Sequence, residues 1–409
     1  PVAPGALLPA QGPLLCREWL LSDQSALLLR AEGQECGSGE EASGGRPQPS
    51  DRVELRSLMA MRRWPLAALH NLHFSREDAL AELCGPFRRR HHGALVVVST
   101  PRAFWSTAAP EERAATLRIL AREAGVQLVL GTAPEPGRPT SAEEFEREVA
   151  SLVSDLAVGC ERGSGSSGAA AAEERVRPGL LGELPLWEPA RGPMPTSEAL
   201  ALRACVEAQR RSGGAPLLLS GAVSKEAMEL LEGHGGNGPC LWERCAFFDV
   251  PPDSPVPSGE LAAKGAFLGF CPPQGAADIS WESYPGRRPW RVEADFLAAL
   301  AAAPPDRALV SSGLRFRTDL AAFGGPGLAY ASELAAEDGA LRRAAAVRFL
   351  AYSWKPPPPP EKVVHTVACH WCGTRKVEGD HFSKMGFDYC SPKCINKHRQ
   401  VDFAPDKRG

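Results

Sequence analysis

Residues 93–132 read GALVVVSTPRAFWSTAAPEERAATLRILAREAGVQLVLGT. The segment opens on a run of apolar, β-branched residues with no polar alternation, the pattern of a strand buried on both faces. APEERAATLRILAREAG (109–125) then has helical spacing, with Pro110 near its start and Gly125 just past its end. VQLVLGT (126–132) is a second buried strand. A strand, a helix and a strand in about forty residues make one unit of a parallel sheet.

The same rhythm runs from residue 15 to about 350. SAEEFEREVASLVSDLA is a helix capped by Ser141, and RPGLLGELP is a strand. TSEALALRACVEAQRRSG, APLLLSG and SKEAMELLEGHG continue as helix, strand and helix. ELAAKGAFLGF follows, and RVEADFLAALAAAPPDRALVSSGL is a helix leading into a last strand. DGALRRAAAVRFLAYSW closes the series as a helix. Seven or eight such units point to an α/β fold of the (β/α)8, TIM-like type. An open doubly wound sheet is the alternative, but no G-x-G-x-x-G follows the first strand.

The 409 residues are 44% hydrophobic and 23% charged, enough for a substantial core. A net charge of −3 gives no global footprint for nucleic acid. No run of eighteen apolar residues marks a membrane span. The opening PVAPGALLPAQGPLL lacks the basic region of a secretory signal. Eight of the twelve cysteines are scattered without framework spacing, which favours a reducing compartment. The expected location is therefore intracellular, with cytoplasm as the default and nucleus, cilium or an organelle left open. Glycine and proline number 40 and 38, and the Gly-rich stretches near 32–50 and 160–175 read as flexible insertions. The organisation read from the sequence is a barrel over 1–354, a polyproline linker over 355–362 and a small module over 363–409.

Six barrel segments carry a further signal: CREWLL (16–21), REAGVQLVLGT (122–132), VRPGLLGEL (176–184), LRACVEAQRRSGGAPLLLS (202–220), ELAAKGAFLGF (260–270) and DRALVSSGLRFRTDLAAFGGPG (306–327). Together, and in this order, they resemble the phosphotriesterase-related family of the amidohydrolase superfamily. The resemblance implies a barrel whose relatives hold two divalent ions at the C-terminal ends of the strands. The ions generate a hydroxide that attacks an ester or related bond. Where the family's first strand ends in Thr-His-Glu-His-Leu, this chain has Cys16-Arg17-Glu18-Trp19-Leu20. Glu183 stands at the bridging position after the fourth strand. The fifth-strand histidine becomes Ser220, and the sixth falls near Leu241 or Trp242. The family's last Ser-His-Asp is Ser311-Ser312-Gly313. One acid from about six ligands survives, so no catalytic metal is expected in the barrel. Arg17 beside Glu183 is expected to form an ion pair filling the old site.

The remaining barrel candidates read as structural. His70, His73, His91, His92 and His234 sit at no C-terminal end of a predicted strand, and His91 and His92 precede one. Cys84, Cys160, Cys205, Cys240, Cys245 and Cys271 read as small buried hydrophobes. Cys16 and Cys271 lie near strand ends but have no histidine base beside them.

ACHWCGTRKVEGDHFSKMGFDYCSPKCINKHRQ (368–400) follows the prolines. Its cysteines have the spacing C-x2-C-x17-C-x3-C, through Cys369, Cys372, Cys390 and Cys394. Two close pairs of thiolates make a closed tetrahedral site, so one structural Zn2+ is expected and no coordination position is left for substrate. A knuckle at Gly373 and a helix starting near Ser391 make this a treble clef, resembling the FCS and MYM-type fingers. His370, His381 and His398 are expected at the surface, and Phe382, Phe387, Tyr389 and Phe403 as the finger's small core.

The expected function is a non-catalytic, amidohydrolase-like scaffold whose finger binds one or more proteins within a larger assembly. A metal-dependent hydrolase of ester, lactone or phosphotriester type, with a rearranged site, is the first alternative. A nucleic-acid-binding protein using the basic finger is the second.

Overall fold

The computed structural model describes residues 14–25, 28, 47–87, 94–99, 110–134, 137, 139–159, 177–234, 238–273, 292–335, 339–351, 366–377, 382–384 and 386–402. The linker prolines, His91, His92, Cys160, His381 and most of both Gly-rich insertions lie outside them. The chain divides into two compact units, Pro1–Lys355 and Pro356–Gly409.

The first unit is a near-closed barrel of eight parallel strands in sequential order, β1 to β8. The strands are β1 Leu14–Glu18, β2 Leu95–Val98, β3 Gln127–Thr132, β4 Leu180–Pro185, β5 Leu217–Ser220, β6 Cys245–Phe248, β7 Phe267–Phe270 and β8 Ala308–Val310. Three short helices, α1 (Leu58–Arg63), α2 (Leu69–Leu72) and α3 (Arg76–Glu82), fill the β1–β2 connection. The later connections carry α4 (Pro110–Ala124), α5 (Ala142–Val158), α6 (Thr196–Arg211), α7 (Lys225–Leu231), α8 (Ser258–Ala263) and α9 (Glu293–Ala302). After β8 come α10 (Ala329–Leu334) and α11 (Gly339–Leu350).

The local signals act as read. Gly125 ends α4 at φ +65°, and the Ser141 hydroxyl accepts from the Glu144 N–H to cap α5. Leu14, Cys16, Val97, Leu180, Leu218, Ala246, Phe248, Phe267 and Leu309 pack together as one buried cluster contributed by all strands but β3. A second cluster joins the opposite strand faces to the helices through Leu120, Val149, Leu152, Leu202 and Phe296.

One strand escaped the sequence reading. CAFF (245–248) is β6, only four residues, fully buried and preceded by a short helical turn at Trp242–Arg244. With no alternation and little length it carries almost no periodic signal. Leu241 and Trp242 therefore precede β6, and the residue leaving its C-terminal end is Asp249.

No described helix is long and apolar enough to cross a membrane.

β4 crosses the barrel with no room for a side chain at Gly182. Its φ is +109°, and a Cβ there would lie 2.3 Å from the Leu218 carbonyl oxygen. Gly182→Ala is expected to destabilise the chain by about 3 kcal/mol or more, combining a backbone penalty with overpacking. Urea unfolding followed by tryptophan fluorescence measures it, and a loss below about 1 kcal/mol would mean β4 is less constrained.

Candidate functional site

At the C-terminal ends of the strands, ionic side chains meet in the barrel interior. Arg17 lies within β1 next to its last residue, Glu183 lies within β4, Ser220 ends β5, Asp249 follows β6 and Cys271 follows β7. Arg17, Glu183, Ser220 and Asp249 are all buried. An isolated charge at such depth is untenable, so each must be matched.

The matching is complete. One guanidinium nitrogen of Arg17 donates to Glu183 Oε1 at 2.6 Å, and the other to Asp249 Oδ2 at 2.5 Å. Arg315 donates to the same Asp249 oxygen at 2.8 Å. Trp19 Nε1 donates to Glu183 Oε2 at 2.7 Å, and the Ser220 hydroxyl to Glu183 Oε1 at 2.5 Å. The Trp19 ring faces both guanidinium groups, with centroids 5.5 Å from Arg17 and 5.1 Å from Arg315. Burial alone would weaken the Arg17 charge, but Glu183 and Asp249 hold it protonated. Two guanidinium charges thus face two carboxylates.

The expected Arg17–Glu183 ion pair is therefore present, and Trp19 and Ser220 turn to the same carboxylate. Asp249 and Arg315 are the residues the sequence reading missed. The run FFDV, an apolar strand ending in an acid, was the available signal for Asp249. Asp249 sits at φ +55°, a backbone conformation Asp tolerates better than most side chains.

Ser311, Ser312 and Gly313 follow β8 but do not reach Glu183. The two serines bind Glu18, the last residue of β1. Ser312 N–H donates to Glu18 Oε1 at 2.7 Å, the Ser311 hydroxyl lies 2.8 Å from it, and the Ser312 hydroxyl donates to Oε2. No backbone ladder pairs β8 with β1 among the described residues, so this carboxylate joins the two strands. Gly313 lies at φ +69°, and a Cβ there would come within 2.7 Å of the Cys271 Cβ. The position has no room for the aspartate expected from the family.

Burial also decides the thiols. Cys16 and Cys271 are wholly buried, and desolvation pushes both well above the usual thiol range, so neither is a thiolate nucleophile. Cys205, Cys240 and Cys245 are buried and Cys84 partly so. Of the histidines, His70 Nδ1 accepts from the Val53 N–H, His73 ends α2 and His234 follows α7.

A pair of divalent ions does not fit this donor set. No imidazole contributes among the described residues, both carboxylates already bind arginine, and a cation between them would meet the Arg17 charge. The described residues hold one convergent metal-ligand group, and it lies in the second unit.

That unit pairs β9 (Thr366–Ala368) with β10 (Arg375–Val377), and β11 (Phe382–Lys384) with β12 (Phe387–Tyr389), then ends in α12 (Pro392–Asp402). The knuckle is closed by Gly373 N–H donating to the Cys369 carbonyl and Cys369 N–H to the Thr374 carbonyl, both at 2.9 Å. Gly373 takes φ +71°. Cys390 lies two residues before α12 and Cys394 in its first turn, where the helix dipole favours thiolate. The sulfurs of Cys372, Cys390 and Cys394 stand 3.5, 3.5 and 3.7 Å apart, and all four ligand atoms lie within 4.8 Å. Tetrahedral zinc–thiolate bonds of about 2.3 Å require edges of about 3.8 Å, so the cysteines fit one zinc. The Thr374 hydroxyl, 3.2 Å from the Cys372 sulfur, helps to draw that thiol down to about 6. Sharing with Cys372 and Cys394 pushes Cys390 up to about 12.

Tyr389 is buried, but Phe382 and Phe387 are 47% and 41% exposed, contrary to the expected core; Phe403 lies outside the described residues. Three-residue strands give too little cover for more than one large ring. His398 is not a free surface residue: it is half-buried, and its Nδ1 lies 2.7 Å from the Tyr389 hydroxyl. His370 stacks on Phe387 with centroids 4.2 Å apart.

Comparison with known proteins agrees with both architectures. Residues 364–406 match the Vms1-associating treble clef domain. A resiniferatoxin-binding protein from Rhodobacter sphaeroides is similar at 22% identity, with 84% of this chain and 89% of that chain covered and a TM-score of 0.59. A phosphotriesterase homology protein from Escherichia coli, complexed with phosphate in its active site, is similar at 16%, covering 83% and 99%, with a TM-score of 0.53. No curated protein matches the chain. The first unit is thus a phosphotriesterase-like (β/α)8 barrel and the second a zinc-finger treble clef.

Two measurements check these sites. Burial raises Glu18 to about 7 against an ordinary 4.5, with its serine hydrogen bonds opposing the rise. The folded chain therefore holds that proton more tightly, and the resulting stability is full below about pH 4.5 and lost by about pH 7. Glu18→Gln keeps a neutral group throughout. From pH 5 to pH 8 the wild type should lose on the order of 2–3 kcal/mol relative to the variant in urea unfolding; parallel curves would mean Glu18 is charged throughout. Chelation of zinc should make residues 366–402 cleavable by protease while the barrel resists, because so small a unit has little core without its ion. Protection of both units after chelation would contradict this.

Proposed function

We propose that this chain is a non-catalytic protein in which the barrel serves as a scaffold and the treble clef docks a protein partner. One observation carries the reading: Arg17, Trp19 and Ser220, three of the positions where a metallohydrolase of this resemblance has ligands, all donate to Glu183. A carboxylate with both oxygens engaged and its charge matched has little capacity left for a metal-bound water. The buried thiols offer no alternative nucleophile.

The finger supports the second half of the reading. Four protein thiolates close the coordination sphere, so a zinc there folds the unit without chemistry. Around it Trp371, Phe382 and Phe387 are exposed, among Arg375, Lys384, Lys393, Lys397 and Arg399. Exposed aromatics and arginine characterise protein interfaces. The description of the matching domain, Vms1-associating, also speaks of association. The cations equally suit nucleic acid, which the experiment below separates from protein.

The likeness to a phosphotriesterase homology protein favours a second reading, a metal-dependent hydrolase. Full-length protein supplied with Zn2+, Mn2+ or Co2+ is assayed on ester, lactone and phosphotriester substrates. It is also immobilised, beside a Cys372→Ser/Cys394→Ser variant, to capture proteins and RNA from extract for quantification. The scaffold reading expects no turnover above background and a protein set lost from the variant. Turnover abolished by Glu183→Gln would establish the hydrolase. RNA captured in preference to protein, with affinity falling steeply with salt, would assign the finger to nucleic acid.

A further inference from the structure

We propose that the Arg17 guanidinium is a built-in substitute for a divalent cation, and that Glu183 and Asp249 form a latent cation site which Arg17 keeps closed. The inference rests on the non-catalytic reading of the barrel and says what replaced the metal.

The geometry is that of a bridging cation. The two terminal nitrogens of one guanidinium reach carboxylates from β4 and from the end of β6, at 2.6 and 2.5 Å. Those carboxylates come from residues 66 positions apart and are brought together only by the barrel, with the positive charge supplied from β1. Asp249 uses Oδ2 for both arginines, while its Oδ1 is buried with no hydrogen-bond partner among the described residues. A buried carboxylate oxygen without a partner is a costly feature in a structural ion pair and a ready donor to a metal. Arg17 Nε is likewise buried without a partner, so the guanidinium is held by its charge contacts more than by full hydrogen bonding.

Charge balance gives the direction of the effect. With Arg17 present, two guanidinium groups neutralise two carboxylates, and an added divalent ion would be repelled. Without it, Glu183 and Asp249 face Arg315 alone, and the pocket carries a net negative charge. Breaking a buried pair is costly because it strands a charge. A divalent ion entering from solvent relieves that stranded charge. The ligand class is a first-row divalent cation accepting carboxylate oxygen, with an imidazole improving the set when one is introduced at position 17.

The test uses the full chain with its finger zinc in place. Wild type, Arg17→His, Arg17→Lys and Arg17→His/Asp249→Asn are equilibrated with Mn2+, and bound Mn2+ is read by elemental analysis and electron paramagnetic resonance. Wild type and Arg17→Lys, which keep the cation, should bind no Mn2+. Arg17→His should bind about one Mn2+ per chain, a ratio set by a single bridging position. The double variant should bind at least roughly tenfold more weakly, having lost one carboxylate charge. Mn2+ should also raise the unfolding temperature of Arg17→His and leave that of wild type unchanged. Should Arg17→His prove too unstable to purify, Arg17→Ala prepared in Mn2+ answers the same question. A folded Arg17→His or Arg17→Ala chain that binds no Mn2+ would overturn the inference and leave the non-catalytic reading standing. Mn2+ bound in the wild-type barrel would overturn both.

Discussion

The centre of the barrel depends on one constraint: Arg17 is buried and must find opposite charge. It finds it twice, in Glu183 and Asp249, and Arg315 balances the remainder. The cost of removing four charges from water is large, and only close geometry offsets it. That geometry requires β1, β4 and β6 to end at the same level, which the sequential parallel barrel provides. Fold and charge network therefore support each other. The β8–β1 seam follows the same logic, since Glu18 is held by Ser311 and Ser312 where no backbone ladder is described.

The two units solve one problem in opposite ways. In the finger, four thiolates crowd to about the spacing of a zinc tetrahedron, and the cation must come from outside. In the barrel, carboxylates converge and the cation belongs to the chain. The finger thus offers a site for a metal, whereas the barrel fills its centre with covalently attached charge. Two backbone features reinforce the second solution. Gly313 has no room for a side chain beside Cys271, and Gly182 lets β4 approach β5 at the level of Glu183.

Most of the fold was legible because its signals are local. The apolar runs of β2, β3 and β5, the cap at Ser141 and the glycine after α4 each act within a few residues. The Arg17–Glu183 pair was legible through the resemblance alone, because 166 positions separate the partners. β6 was not legible: four apolar residues carry no period, and missing it shifted the sixth position from Asp249 to Leu241 or Trp242. Arg315 was hidden for another reason. Its role depends on the path of the chain after β8, which neither propensity nor pattern specifies. The cysteine spacing, by contrast, encodes its geometry directly, and the departures from expectation there are the exposure of Phe382 and Phe387 and the half-buried His398.

The most direct test of the account is a crystal structure of the wild-type chain grown with added zinc, with anomalous diffraction recorded on both sides of the zinc edge. The account predicts one anomalous peak, among Cys369, Cys372, Cys390 and Cys394, and the Arg17 guanidinium within hydrogen-bond distance of Glu183 and Asp249. A second peak between Glu183 and Asp249, with Arg17 turned away, would contradict it.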